Sequence, residues 1–289
     1  MELRQIRYFL KAKELLNFTE AANQLYISQS TLSQQIRQLE EELGIPLFNR
    51  IGKRIVLTEA GNIFGAYAQK SLLKSQEGFL ALQDLKELKG GELNIGVTYG
   101  MRQTLIQPLI SFSKEYPAVK FTIVFGTTSE LMEKLQHLEL DFALTFAEGN
   151  RQEIFTYHPL FTSPMTLVAS RNSEWAHKKS ITLKEIAELP LAMPAKGDST
   201  TRFVTEAFSN SGLSPKIFIE INDIPTLLEL AKSGNWYTIL ARNSMTDTDD
   251  LITIPIKGKN MIRTAMFVSL KDAYEKKAMK VFYTYLNVK

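Results

Sequence analysis

The chain has 289 residues, enough for two or three domains with their own cores, and 44% of it is hydrophobic against 22% charged. No run of ~18 apolar residues is present to form a helix spanning a bilayer, and the absence of cysteine excludes disulfides, thiolate metal sites and a cysteine nucleophile. A net charge of +3 is too small to indicate a nucleic-acid partner by its sum, so the distribution of charge has to carry that question.

The first residues, Met1 to Gln5, lack the basic-then-apolar order of a secretory signal, so the chain is expected in the cytoplasm. A short helix comes next, with either Asn17 or Thr19 as its cap, Glu20 three residues after Asn17, and Ala21 and Ala22 small enough to let a second helix cross closely. After the turn Leu25-Tyr26-Ile27-Ser28, the apolar residues Leu32, Ile36, Leu39 and Leu43 recur at helical spacing and are expected to be buried. The opposite face carries Ser30, Gln34, Arg37 and Gln38, flanked by Gln29 and Ser33: donors and acceptors with one positive charge. Ser28 is placed to cap this helix, and the first turn, with Thr31, can point amides at a phosphate. The pattern fits a helix-turn-helix, whose second helix reads base edges in the major groove. A plain helical hairpin with a solvated polar face is the alternative at this point.

Arg50, Lys53 and Arg54 then fall within five residues with no acid among them, a cluster suited to phosphates. Around it run Leu39-Glu40, Gly44-Ile45-Pro46-Leu47-Phe48-Asn49-Arg50 and Leu57-Thr58-Glu59-Ala60-Gly61. In these motifs, from Leu3 to Gly61, the chain resembles the LysR-type transcriptional regulators. The resemblance implies a winged helix-turn-helix domain over residues 1–58 that binds a double-stranded DNA operator through Ser28, Gln29, Ser30, Thr31, Ser33, Gln34, Arg37, Arg50, Lys53 and Arg54. One position departs: Ser30 stands where the family commonly has proline. Its loss should loosen the first turn slightly and add a hydroxyl, which alters base preference rather than binding.

Thr58 can cap the next helix. Residues 59–88 contain no proline and carry Ile63, Tyr67, Leu72, Leu73, Phe79, Leu80, Leu82, Leu85 and Leu88, an apolar side with no evident cover. By resemblance, 59–90 is the linker helix through which subunits pair as a homodimer or homotetramer, with RNA polymerase as a further candidate partner. Lys89-Gly90-Gly91 should end it.

Beyond, strands and helices alternate: Glu92–Val97, a helix with Leu105, Leu109, Ile110 and Phe112, Val119–Phe125, a helix Ser129–Leu138, then Asp141–Phe146. The alternation continues through Met165–Ala169, Ile181–Leu189, Leu191–Met193, a helix after Ser199, Ile217–Ile221, Ile224–Gly234 and Tyr237–Leu240. It closes with Ala265–Ser269 and a helix containing Ala278, Val281, Phe282, Tyr285 and Leu286. Such alternation predicts an α/β fold with parallel strands and crossover helices. By resemblance, residues 91–289 form a two-lobed α/β effector-binding domain similar to type 2 periplasmic binding proteins. Lobe I would comprise 91–161 and 267–289, lobe II 162–266, with a small-molecule effector between them.

Strand-to-helix junctions face the crevice in such folds. Three carry small hydroxyl residues: Thr98-Tyr99-Gly100, Thr127-Thr128-Ser129 and Ser199-Thr200-Thr201, the last succeeded by Arg202. They suit a small anion, a carboxylate above all, although serine and threonine are also the commonest helix caps. Phe146 and Asn222-Asp223 join them by family position. Where the family often has Gly-x-Gly-Ile-Ala-x-Leu-Pro, this chain has Gly234-Asn235-Trp236-Tyr237-Thr238-Ile239-Leu240-Ala241, so Trp236 and Tyr237 are expected to fill space near the cleft.

Nothing in the sequence suggests an enzyme. There is no phosphate-cradling glycine-rich loop and no Gly-x-Ser-x-Gly elbow, and His137, His158 and His177 are isolated, so neither cofactor nor metal is expected. The rival to a ligand-controlled regulator is a constitutive DNA-binding or architectural protein whose C-terminal lobes only oligomerise.

Overall fold

The computed structural model describes residues 1–51, 54–84, 91–147, 149, 151–245, 249–258 and 260–286. The chain divides into two compact units, Met1–Leu82 and Gln83–Lys289.

In the first unit three helices, α1 (Leu3–Leu15), α2 (Phe18–Gln24) and α3 (Gln29–Leu43), precede a hairpin of β1 (Phe48–Ile51) and β2 (Arg54–Leu57), and the 26-residue helix α4 (Glu59–Asp84) comes after it. Asn17 is the cap of α2: its side chain accepts from the amides of Thr19 and Glu20. Ala21 and Ala22 are buried where α2 meets α3. Leu32, Ile36 and Leu39 are buried with Ile6, Phe9, Phe18, Leu47 and Phe48, each such side chain stabilising the unit by about 1.5–3 kcal/mol. Leu43 departs from the expected stripe. It is 37% exposed, because Gly44 ends α3 in the left-handed conformation (φ 70°) before anything packs over the last turn.

Thr58 caps helix α4, its hydroxyl accepting from the Gly61 amide at 2.9 Å. Its apolar side is open at Ile63, Tyr67, Phe79 and Leu82, with Tyr67 67% exposed. The expected helix stop at Lys89-Gly90, with Leu85 and Leu88 before it, lies outside the described residues.

The second unit starts with β3 (Gly91–Thr98), α5 (Arg102–Glu115), β4 (Val119–Gly126), α6 (Thr128–Gln136) and β5 (Phe142–Phe146). Strand β3 lies parallel to β4 on one side and β5 on the other. The next strand, β6, runs for 16 residues (Phe155–Ser170). Then come α7 (Leu183–Ile186), β7 (Leu191–Pro194), α8 (Ser199–Asn210), β8 (Ile217–Ile221), α9 (Ile224–Lys232), β9 (Thr238–Ala241), β10 (Leu251–Pro255), β11 (Ile262–Leu270) and α10 (Lys277–Leu286).

One half of this unit has strand order β6-β11-β5-β3-β4. In the other, β6 lies between β10 and β9, while the parallel pair β7-β8 adjoins β9 through the Leu191–Tyr237 bridge. A single buried cluster, from Leu93 and Phe112 to Leu191, Phe208 and Ile254, runs through both halves. Strands β6 and β11 begin earlier than their sequence pattern indicates, and β10 has no counterpart among the expected strands. Pro159 and Pro164 break the pattern of β6, yet both lie where β6 has only β11 beside it, and an edge tolerates proline.

Candidate functional site

The first candidate surface is the outer face of α3. Ser28, Gln29, Ser30, Thr31, Gln34 and Arg37 are exposed, and Ser33 is half-buried. Ser28 Oγ accepts from the Thr31 amide at 3.1 Å and shares hydrogen bonds with the hydroxyls of Ser30 (2.8 Å) and Thr31 (2.7 Å). The Ser30 hydroxyl therefore ties the first turn that a missing proline would loosen. Gln29 Nε2 donates to Ser33 Oγ at 2.8 Å, so these two side chains present one hydrogen-bonding unit. Tyr26, in the turn before α3, has φ 57° and is 96% exposed.

The hairpin is fixed to this helix by Glu40. Its Oε1 accepts from the amides of Leu47 (2.7 Å) and Phe48 (3.0 Å) at the start of β1. Arg50 in β1 pairs with Ile55, and Arg54 in β2 with Ile51, while Lys53 between them lies outside the described residues. On the other side Thr58 donates to the Pro46 carbonyl at 2.8 Å. Gly61 permits the close approach: a Cβ there would stand 2.2 Å from the Leu47 carbonyl oxygen.

The effector candidates fall into separate places in the second unit. A small cavity between its halves is lined by Tyr99 and Thr127 on one side and Lys196, Asp198 and Asn222 on the other, with a volume of about 30 Å³. Thr128, Ser129 and Phe146 instead line a cavity of about 270 Å³ beside α6. Thr98, Gly100, Ser199, Thr200 and Thr201 are buried and line neither cavity, and Arg202 is exposed. Several hydroxyls are already engaged: Thr98 donates to the Leu144 carbonyl at 3.3 Å, Thr128 bonds Thr145 at 3.0 Å, and Thr201 donates to the Pro194 carbonyl at 2.6 Å. Thr127 caps α6 in a reciprocal box with Glu130, whose carboxyl is held below the usual range first by the Thr127 amide.

Trp236 and Tyr237 do not reach the cleft cavity. Trp236 lies edge-on to Phe218 at 6.1 Å, and the Tyr237 hydroxyl is 3.5 Å from Ser173 Oγ.

Three cations near the cleft stand outside the residues expected from sequence. Arg263 is only 2% exposed and donates to Ser199 Oγ (3.1 Å) and Thr200 Oγ1 (3.3 Å). It lies over Phe146 at 4.6 Å and Phe203 at 5.3 Å, so one guanidinium joins the end of β5 to the start of α8. Arg102 lies over Phe125 at 5.1 Å. Its charge helps lower the Asp223 carboxyl, which is depressed chiefly by the Thr226 hydroxyl. Lys196 lines the small cavity itself. The available sign of Arg263 is a charge within the alternation Ile262-Arg263-Thr264-Ala265-Met266, obscured once the strand is begun at Ala265.

Residues 3–62 match the family described as bacterial regulatory helix-turn-helix protein, lysR family, and residues 86–288 match the LysR substrate binding domain. The HTH-type transcriptional regulator BsdA of Bacillus subtilis is 29% identical over 267 residues, covering 91% of this chain and 89% of that protein. The nitrogen assimilation regulatory protein nac of Klebsiella aerogenes is 31% identical over 246 residues, covering 84% and 79%. Among solved structures, a point variant of full-length OxyR from Pseudomonas aeruginosa superposes with TM-score 0.69 at 22% identity, covering 100% of this chain and 95% of that one. Full-length CbnR complexed with its target DNA gives 0.60 at 22% identity, covering 99% of each chain. The chain belongs to the LysR family: it is a LysR-type transcriptional regulator with a DNA-binding helix-turn-helix and a substrate-binding domain.

Proposed function

We propose that the outer face of α3 reads an operator in the major groove, with Gln29, Ser33 and Gln34 on base edges and Arg37, Arg50, Lys53 and Arg54 on the phosphate backbone. Ser28, Ser30 and Thr31 bring the first turn of α3 to the same groove. The observation that carries this reading is the exposed amide and hydroxyl face on a helix whose other side is locked by Leu32, Ile36 and Leu39. Binding titrations at several salt concentrations, on operator and random DNA, test it. Arg54→Ala should weaken binding to both and reduce the salt slope by about one, and Gln34→Ala should change the preference between them. No change for either substitution refutes the assignment.

The protein acts in the cytoplasm as a homodimer or homotetramer, paired through the linker 59–90. The open apolar side of α4 at Ile63, Tyr67, Phe79 and Leu82 supports this pairing. Paired subunits present two recognition helices to two half-sites, and RNA polymerase is the further partner through which promoter binding acts. Residues 1–58 form the DNA-binding domain and 91–289 the effector domain, with lobe I at 91–161 and 267–289 and lobe II at 162–266.

The effector is a small carboxylate bound between the lobes near Tyr99, Thr127 and Asn222, where Lys196 supplies positive charge. A cavity of about 30 Å³ holds about one water, whereas ligand sites are roughly 300–1,000 Å³, so the effector binds a state in which the lobes stand further apart. The same small cavity favours a second reading, a constitutive DNA binder whose C-terminal unit only oligomerises. Thermal shifts of the full-length protein across a panel of small carboxylates separate the two, because a ligand of the folded state raises its melting temperature.

A further inference from the structure

The larger cavity, of about 270 Å³, opens between α6 and the segment leading from β5 into β6. Its lining shares no residue with the cleft cavity. It is built from α6, the end of β5, Ala147, Arg151, Gln152, Tyr157 and Met266, and Met266 pairs with Thr145 of β5, so no closure of one lobe on the other is needed to complete it. Its volume exceeds the roughly 150 Å³ of a protein cavity that binds benzene, so it has room for a small organic molecule.

Its walls carry both signs of charge. Ser129, Glu133 and Gln136 recur on one face of α6, and the positive N-terminal end of the helix stands about 6 Å along the axis from the level of Glu133. Opposite them Arg151 lies over the Tyr157 ring at 5.5 Å. Elsewhere on α6 the charges are engaged: Glu130 caps the helix through Thr127, and Lys134 pairs with Glu139 at 2.7 Å. Among the described residues neither Glu133 nor Arg151 has an ion-pair partner. The floor is apolar, formed by the buried side chains of Met132, Phe146 and Met266. Gln136 donates to Gln152 at 3.2 Å beside it.

A plain carboxylate would satisfy Arg151 but lie beside Glu133, and a plain amine would do the reverse. We propose that this cavity is a second small-molecule site, selective for a zwitterionic α-amino acid with an apolar side chain. The carboxylate meets Arg151 and the first turn of α6, the ammonium meets Glu133, and the side chain rests on Met132, Phe146 and Met266. The site is independent of the effector reading of the cleft.

Calorimetric titration of the full-length protein with L-leucine and L-methionine tests it, with 4-methylpentanoate and 3-methylbutylamine as analogues lacking one charge each. The amino acids should bind, and each analogue should bind at least about tenfold more weakly, the loss of about 1.4 kcal/mol. Glu133→Gln and Arg151→Gln, both at exposed positions, should weaken amino-acid binding by a similar factor with the melting temperature unchanged. Asn222→Ala in the cleft should leave it unaltered. Absence of binding by both amino acids at millimolar concentration, equal binding of either analogue, or a loss with Asn222→Ala but not with Glu133→Gln overturns the proposal.

Discussion

Glu40 does two things from one position on α3. Its carboxylate takes the amides that open β1, and by doing so it sets the hairpin beside the recognition helix. Glu40→Ala leaves those amides without their acceptor and should cost about 1.5–3 kcal/mol, whereas Glu40→Gln keeps an acceptor oxygen and should cost less. Urea denaturation of the full-length variants measures the difference. Gly61 acts on the same junction by having no side chain. A Cβ at 2.2 Å from a backbone oxygen has no soft neighbour to displace, so Gly61→Ala should destabilise the first unit by about 1–3 kcal/mol and lower DNA affinity as the hairpin shifts. Affinity unchanged in a stable Gly61→Ala protein would show that hairpin placement does not matter for binding.

At the scale of elements, reciprocal caps start α6 at Thr127 and Glu130 and α7 at Thr182 and Glu185. The Glu185 carboxyl is lowered to about 2, first by Lys178 and then by Thr182. A depressed carboxyl contributes stability above its unfolded value of 4.5 and loses it as pH falls through its folded value. The Thr182 amide should therefore keep its downfield NMR shift at pH 4 and lose it only near pH 2. Loss at the ordinary glutamate value would mean that the cap does not form in solution. Elements with local causes are legible in the sequence: Ser28 caps the helix that starts at the next residue, and Leu32, Ile36 and Leu39 share one face of it, whereas Asn17 is separated from Thr19 as the α2 cap, and Thr127 identified as the α6 cap, only by the structure. The first half of β6 is not legible, because Pro159 and Pro164 read as breakers until the edge they occupy is known. The division of the hydroxyl residues between two cavities is likewise invisible, since neighbours such as Thr127 and Thr128 point to different places.

For the whole molecule, Arg263 links parts of the C-terminal unit that are far apart in sequence, Phe146 at the end of β5 and the Ser199-Thr200 start of α8. Lysine would keep the charge but lose the planar fork that reaches two hydroxyls while lying on two rings. Arg263→Lys should lower stability by about 2 kcal/mol, a shift of several degrees in melting temperature for a unit of this size. Calorimetry should show that shift in the C-terminal transition alone. An unshifted transition would make the Arg263 contacts energetically idle.

The 16-residue strand β6 has a mechanical consequence. It passes from one half of the C-terminal unit into the other without a break, and β11 accompanies it as far as Pro164, where β9 and β10 take over. Two such strands cannot swing like a loop. Rotation of one half against the other has to be absorbed as added twist along the pair, and the register shift between Ala265 and Met266 is where the ladder is already interrupted. The lobes are thus joined by a torsion bar rather than a door hinge, with a restoring torque that grows as they turn and its softest point two residues from Arg263.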